Sequence, residues 1–417
     1  METHNPGSVY LDYNATTPLE PAVLDAIQAA LRDAWGNPSS CYEQGKKAKT
    51  IIENSRKSVA SMIGGCADGV IFTSGGTEAN NMVIQTAIKF YWKTLEDLEL
   101  KGKLVNSEVK QSLPHIITSN LEHDSVKLVL QHLEEDSQIE VTYVPASHSS
   151  GRVEVDDIIS ALRPNTCMIT LMLANNETGV IQPVREVCLK VRQMKRRLPE
   201  FPRILLHTDA AQAIGKIAVS VDDLDVDYLT VVGHKFYAPR IGALYVSNLR
   251  KGTPVYPMLY GGGQERNYRP GTENTGMIAG LGKAADLVVD NLPEYEKHLR
   301  EIRDYLEKRL QEEFQVHVNG KYAVSERLPN TCNVSFLNEG LIGSKVLASC
   351  QNLQASIGAA CHSHDSLKPS PILLASGTPE DIAVNAIRLS VGRSTTKQDI
   401  DVVITDLKQA TQLLQAT

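Results

Sequence analysis

The 417-residue chain has no stretch approaching the ~20 consecutive apolar residues of a membrane-spanning helix. It has only seven cysteines, at 41, 66, 167, 188, 332, 350 and 361, and no Cys-x-x-Cys pair. That spacing argues against a disulfide framework and against a zinc site, so no metal is expected. Basic residues are not in excess: 42 Lys and Arg stand against 49 Asp and Glu, a net charge of −7. The electrostatic footprint of a nucleic-acid binder is therefore missing, and short basic runs such as Lys195-Arg196-Arg197 read as a solvated helix face. Repeats and low-complexity tracts are lacking. The first residues, METHNPGSVYLDYNATTP, have no basic region followed by an apolar core and are not rich in Arg. Neither a secretory signal nor a transit peptide is predicted, and the expected compartment is the reducing cytosol.

Hydrophobic residues make up 42% and charged residues 22%, which places the chain among globular proteins rather than disordered or fibrous ones. Residues 22–33 and 46–63 have the apolar periodicity of amphipathic helices. Short apolar runs follow: Gly69–Thr73, His115–Ser119, Ile139–Val144, Cys167–Leu173, Arg203–His207, Asp227–Val232 and Gly242–Val246. Most are separated by a helical segment or a polar loop. Near-continuous apolar strands alternating with helices predict an α/β fold, with a mostly parallel sheet covered on both faces. After about Ala279 the texture changes to a long charged helix over 283–313. Short strands follow at Cys332–Phe336 and Ala386–Val391, with helices near 341–350 and 398–415. This reads as a smaller α+β domain. The polar segment 93–113 reads as a surface helix with a loop.

Ligands of an open parallel sheet bind beyond the carboxyl ends of its strands. The residues following each apolar run are therefore the candidates. Gly69–Thr73 leads into Ser74-Gly75-Gly76-Thr77-Glu78 and a helix. This is either an anion cradle of bare N–H groups at a helix N-terminus or a plain glycine-rich turn. It fits neither the GxGxxG nor the Walker pattern. The other runs lead into Glu122-His123-Asp124, Asn175-Asn176-Glu177, Asp209-Ala210-Ala211-Gln212 and Gly233-His234-Lys235. Any one of them is more often an ordinary cap; five in equivalent places are hard to explain as caps and could converge on one pocket. A desolvated lysine is nucleophilic and forms Schiff bases with carbonyls, and Lys235 is the candidate. Asp209 could keep a pyridinium nitrogen protonated. A lysine, an aspartate and a phosphate cradle are together what pyridoxal phosphate requires.

With those residues placed, the chain resembles the class V aminotransferase branch of the fold-type I pyridoxal-phosphate enzymes, and within it the cysteine desulfurase and selenocysteine lyase group. The resemblance runs from about Val9 to about Leu414. It is carried by LDYNATTP, NPSS at 37–40, FTSGGTEANN at 72–81, Glu122-His123, NNETGV at 175–180, HTDAAQ at 207–212, GHK at 233–235, GGGQERNYRPGTEN at 261–274, GAACHS at 358–363 and RLSVGR at 388–393. It implies a large cofactor-binding domain over 24–280 and a small domain built from 1–23 and 281–417, in a homodimer with sites at the interface. It implies that Lys235 carries the cofactor as a Schiff base and later moves the substrate's Cα proton. Asp209 would pair with the pyridine nitrogen, His123 would stack on the ring, and Gln212 would bond its phenolic oxygen. Gly76, Thr77 and His234 would hold the phosphate, with Thr272 reaching in from the partner subunit. Asn175 and Arg388 would hold the substrate carboxylate, Arg388 through a bidentate fork. Cys361 would meet the chalcogen leaving Cβ, as proton donor or as nucleophile. One departure concerns the phosphate. Many relatives read Ser-Gly-His-Lys where this chain has Val232-Gly233-His234-Lys235. Thr230, two residues earlier on the same side of a strand, is a candidate substitute.

Two features resemble the selenocysteine lyases of animals more than the desulfurases: Asp124 after the Glu-His pair, where desulfurases of the bacterial type commonly carry Lys, and the loop ACHSHDSLKPSP after Ala359. They imply L-selenocysteine as the substrate, giving L-alanine and reduced selenium, with cysteine desulfuration as the alternative and a selenium-accepting protein as a further partner. A selenol is more acidic than a thiol, so it arrives ionised at neutral pH. A negative Asp124 would not help a thiol to ionise. Asp124 could equally cap the helix that follows it. Among the other cysteines, Cys167 falls in a strand pattern, Cys332 and Cys350 read as buried, and Cys41 has no assigned role.

Overall fold

Period-two alternation along the strands sorts their side chains onto two faces of one sheet. In the computed structural model, which describes residues 7–101, 112–194, 201–358 and 368–416, this sheet has seven strands. Cys361 and the Lys195-Arg196-Arg197 run lie outside the described residues, as does much of the expected loop before residue 113. The two-residue strand β1 is Val9–Tyr10; the sheet begins with β2 (Val70–Thr73) and continues with β3 (His115–Ser119), β4 (Glu140–Val144), β5 (Thr166–Met172), β6 (Leu205–Asp209), β7 (Tyr228–Val232) and β8 (Gly242–Val246). Their order is β2-β8-β7-β6-β5-β3-β4. The pairs from β7 to β4 are parallel, while β8 runs antiparallel to both β7 and β2.

Val70, Phe72, Ile169, Leu171, Leu206, Leu229, Ala243 and Tyr245 share one core with helices Pro21–Asp33 and Glu43–Met62. Ile71, Met168, Leu205, Tyr228, Leu244 and Val246 share the opposite core with helices Gly76–Leu100 and Asp124–Glu135. The helix expected at 46–63 is the second of these first two. The surface helix expected near 93 is the last part of Gly76–Leu100.

A second, three-stranded antiparallel sheet orders β12 (Ala386–Ser390), β10 (Thr331–Phe336) and β9 (Val316–Asn319). It packs on helices Thr275–Glu313 and Lys397–Gln415 around Leu306, Val334, Phe336, Leu389 and Leu407. Strand β1 pairs in parallel with β11 (Leu353–Gln354) beside it. The long helix contributes Leu281, Ala285 and Val288 to the first core and Leu299, Leu306 and Leu310 to this one. Residue 280 thus falls inside a continuous helix. From β1 the chain passes through Asp12–Thr17 between the two sheets. Asn14 Nδ2 donates to Thr331 Oγ1 at 2.8 Å, and Asn14 O receives Lys235 Nζ at 2.7 Å. No helix of the described residues is long and apolar enough to cross a membrane.

Candidate active site

The carboxyl ends of β5, β6 and β7 open onto a cleft of about 810 Å³. Gly76, Thr77, His123, Asp209, Gln212, His234, Lys235 and Arg388 all line it, together with Asn14, Ser125, Met172, Asn176 and Val232. Residues from seven separated sequence motifs therefore meet in one place.

The cradle is set by packing. Helix Gly76–Leu100 begins at the cleft, so its first N–H groups and its dipole face an incoming anion. A Cβ on Gly76 would stand 2.5 Å from Val232 Cγ2. Glycine is required there because valine already fills the space. Thr230 does not replace the hydroxyl absent at Val232. It is fully buried away from the cleft lining, and its hydroxyl donates to Asn80 Oδ1 at 2.7 Å. Both residues are on the same side of β7, as expected, but the Thr230 hydroxyl is committed to Asn80 of helix Gly76–Leu100.

Asp209 is the last residue of β6 and is 8% exposed. Its Oδ2 accepts from Asn80 Nδ2 at 2.8 Å and its Oδ1 from the Ala211 N–H at 3.0 Å. Lys235 closes a short 3-10 turn, Gly233–Lys235, after β7, and its Nζ donates to the carbonyls of Asn14 and Ala15, each at 2.7 Å. His234 Nδ1 meets Thr16 Oγ1 at 3.1 Å; burial, with Lys235, Arg240 and His123 nearby, pushes the imidazole down to about 4. His234 is thus neutral at physiological pH.

His123 is the N-cap of helix Asp124–Glu135, its Nδ1 accepting the Ser125 N–H at 3.1 Å. Asp124 is the first residue of that helix and half-buried, where a carboxylate meets the positive end of the dipole. It is not among the cleft-lining residues. Glu122 is buried; its Oε1 accepts from Ser119 Oγ at 2.6 Å and the Met172 N–H at 3.1 Å, and burial pushes its carboxyl up to about 8.

Arg388, in β12, is 1% exposed. It donates to Asn176 O at 3.0 Å, to Asp12 Oδ1 at 2.7 Å and to Ser356 Oγ at 2.8 Å. Two expected residues do not line this chain's own cleft, Thr272 having been expected to serve the partner's. Asn175 is fully buried, and its Oδ1 accepts from the Glu177 and Thr178 N–H groups at 2.9 Å each; its neighbour Asn176 lines the cleft instead. Thr272 lines a separate depression with Arg240, Glu265 and Arg269.

Sequence reasoning missed three polar groups, Asn14 in the cleft and two behind it. Asn14 joins Lys235 and Gln212, whose Nε2 donates to Asn14 O at 3.0 Å. Lys216, 4% exposed, donates to Gln212 Oε1 at 2.6 Å and to Asn14 Oδ1 at 2.9 Å. Burial, and after it the charges of Lys235 and Arg388, hold Lys216 well below the usual lysine range. Asn80 is the third. The available signal was position: Lys216 lies four residues after Gln212 in the turn that follows β6, and Asn80 one helical turn after Gly76.

A helix-start cradle that a Cβ would fill, a buried carboxylate at a strand end and a lysine amine in the same cleft fit pyridoxal phosphate. The model of the family "Aminotransferase class-V" matches residues 9–403. The chain belongs to that family, whose members are pyridoxal-phosphate enzymes. It is 56% identical to a selenocysteine lyase of Rattus norvegicus over 98% of this chain and 95% of the relative. It is 40% identical to the cysteine desulfurase IscS of Dictyoglomus turgidum, over 98% of this chain and 95% of that one. A solved structure described as a NifS-like protein superposes with a TM-score of 0.82 at 31% identity, covering 98% of this chain and all of the other.

Proposed function

We propose that this chain is a selenocysteine lyase converting L-selenocysteine to L-alanine and selenium, the selenium leaving as selenide when a thiol or other two-electron reductant is supplied. The observation that carries the chemistry is the single cleft in which Lys235, Asp209, the Gly76–Thr77 helix start and Arg388 meet. The substrate rests on the 56%-identical relative being a selenocysteine lyase, against 40% for the desulfurase.

When bound, pyridoxal phosphate supplies an electron-withdrawing ring that stabilises negative charge at the substrate's Cα. Lys235 Nζ holds the cofactor and takes and returns the Cα proton. Asp209 would accept the N–H of the ring nitrogen, Gln212 would donate to the phenolic oxygen and His123 would cover the ring face. Gly76, Thr77 and His234 hold the phosphate, with Thr272 contributed by the partner subunit of a homodimer. Arg388 binds the substrate carboxylate, with Asn175 supporting the adjacent turn. Cys361 receives the selenium or protonates it, and Asp124 places negative charge beside His123 to disfavour thiolate formation. The division into 24–280 and 1–23 with 281–417, the cytosolic location and the selenium-accepting partner belong to the same proposal.

The test measures alanine from purified, cofactor-loaded protein given L-selenocysteine or L-cysteine. Alanine from selenocysteine alone is expected. Comparable alanine from both would make the protein a desulfurase. An Asp124→Lys variant with unchanged preference would remove Asp124 from the account of specificity.

A further inference from the structure

Four polar side chains interrupt the apolar strands on the sheet face beneath helix Gly76–Leu100. Thr118 in β3, Thr170 in β5, His207 in β6 and Thr230 in β7 are all 2% exposed or less. Register places them in a row: Thr118 opposite Thr170, Thr170 opposite His207, and Thr230 opposite Asp209 two residues beyond His207. Buried polar groups on a packed face persist only when hydrogen-bonded: Thr118 Oγ1 donates to the Thr170 carbonyl at 3.0 Å, and the other three form one chain with Asn80. Thr170 Oγ1 meets His207 Nδ1 at 2.8 Å, His207 Nε2 meets Thr230 Oγ1 at 3.0 Å, and Thr230 Oγ1 donates to Asn80 Oδ1 at 2.7 Å.

The direction of every bond follows from one end. Asp209, as a carboxylate, only accepts. Asn80 Nδ2 donates to it at 2.8 Å and also to Ser125 Oγ at 2.8 Å. Asn80 Oδ1 therefore faces away and accepts the single hydroxyl proton of Thr230. Thr230 can then only accept from His207, so His207 carries its proton on Nε2. Burial pushes His207 down to about 4, which leaves its Nδ1 bare to accept from Thr170. On the other branch Ser125 Oγ, already accepting from Asn80, donates to His123 Nδ1 at 2.9 Å. With the Ser125 N–H on the same nitrogen, the His123 proton is on Nε2.

We infer that Asn80 is the branch point of a directional hydrogen-bond chain, in which His207 and Thr230 are positioning residues that fix the Asp209 carboxylate and the His123 tautomer together. This rests on the reading that Asp209 and His123 face the cofactor. His207, in the chain, and Glu122, bonded to Ser119 and Met172 outside it, feel the charge of Asp209, and Lys235, His123 and His234 line the same cleft.

The experiment uses cofactor-loaded protein with 15N-labelled histidine, in which one-bond and long-range 1H–15N correlations separate the two tautomers. His123 and His207 are both expected as Nε2–H forms at neutral pH; an Nδ1–H form at either would overturn the inference. A second arm compares Thr230→Val with Thr230→Ser. Loss of one bond in a charge-terminated chain is expected to lower kcat about tenfold, to leave KM within about twofold, and to shift the absorbance band of the bound cofactor; serine should restore all three. A folded Thr230→Val protein with unchanged absorbance and kcat would overturn the inference. Asp209→Asn separates the two levels. If it alters the absorbance and Thr230→Val does not, only the inference fails. If it too leaves the absorbance unchanged, the assignment of Asp209 to the cofactor fails and the inference with it.

Discussion

Arg388 and Asp12, 376 positions apart, form an ion pair at 2.7 Å with the guanidinium 1% exposed. The arginine expected to hold a substrate carboxylate already holds one of the protein's own. Asp12 keeps the charge compensated and, with Ser356 and the Asn176 carbonyl, fixes the plane of the fork.

Removing one member of such a pair leaves an uncompensated buried charge. Asp12→Ala is expected to lower the unfolding free energy by about 3 kcal/mol. Asp12→Ala with Arg388→Met, which removes both charges, is expected to cost less than Asp12→Ala alone. Urea titrations of the two proteins check the order, and a double variant at least as unstable as the single one would contradict it.

The cradle makes a steric prediction. In Gly76→Ala the new methyl meets Val232 Cγ2 at 2.5 Å, and pyridoxal-phosphate affinity is expected to fall at least about tenfold, equivalent to about 1.4 kcal/mol. Adding Val232→Ala clears the space and should recover most of the loss. Titration of cofactor absorbance measures both.

Lys216 predicts a pH dependence of stability. Its pKa is depressed in the folded protein, so between that value and about 10.4 the unfolded chain binds more protons. Stability therefore rises with pH across this window, by up to about 1.4 kcal/mol per pH unit from this one group. Lys216→Met is expected to flatten the profile between neutral pH and pH 10. Denaturant unfolding at a series of pH values, compared between the two proteins, isolates the lysine from other groups titrating there.

Glu122 carries the opposite sign. Its carboxyl is raised to about 8 by burial, so between about 4.3 and 8 the folded protein holds the extra proton. Stability from this group is present below that range and is lost as pH rises through 8. Glu122→Gln mimics the protonated acid, and should match the parent near pH 5 and exceed it at pH 9. Equal melting temperatures at pH 9 would argue against a raised carboxyl.

Cys361→Ser is expected to abolish selenium release while the cofactor still binds with its ordinary absorbance. Full release of selenium from that variant would remove the cysteine from the proposed mechanism.

The sheet was legible because its strands are short, apolar and bounded, as in Val70–Thr73 and Tyr228–Val232. Its order was not, since antiparallel β8 between β2 and β7 follows from long-range packing rather than from any local pattern. The cleft residues stood out because each followed a strand with a polar or ionisable group. Asn80, Thr170 and His207 were hidden for the converse reason, and Thr230 stood out only as a candidate phosphate contact: polar side chains within apolar elements read as tolerated exceptions until register lines them up. Asn175 and Asn176 show a finer limit. Adjacent identical residues differ only in direction, and the turn at 175–178 commits the first inward. Cys350, read as buried, is only partly so.

The strip Asp12–Thr17 gives the site an order of assembly. Asn14 touches Lys235, Asn330 and Thr331, and Asp12 touches Arg388. The first part of the site to leave the ribosome is therefore held by the last. Contacts of such separation close late, after the loop entropy between them has been overcome. A nascent chain with both the cradle and Lys235 already made would still lack Asn330, Thr331 and Arg388, so ordered closure of this cleft waits on the synthesis of the second sheet.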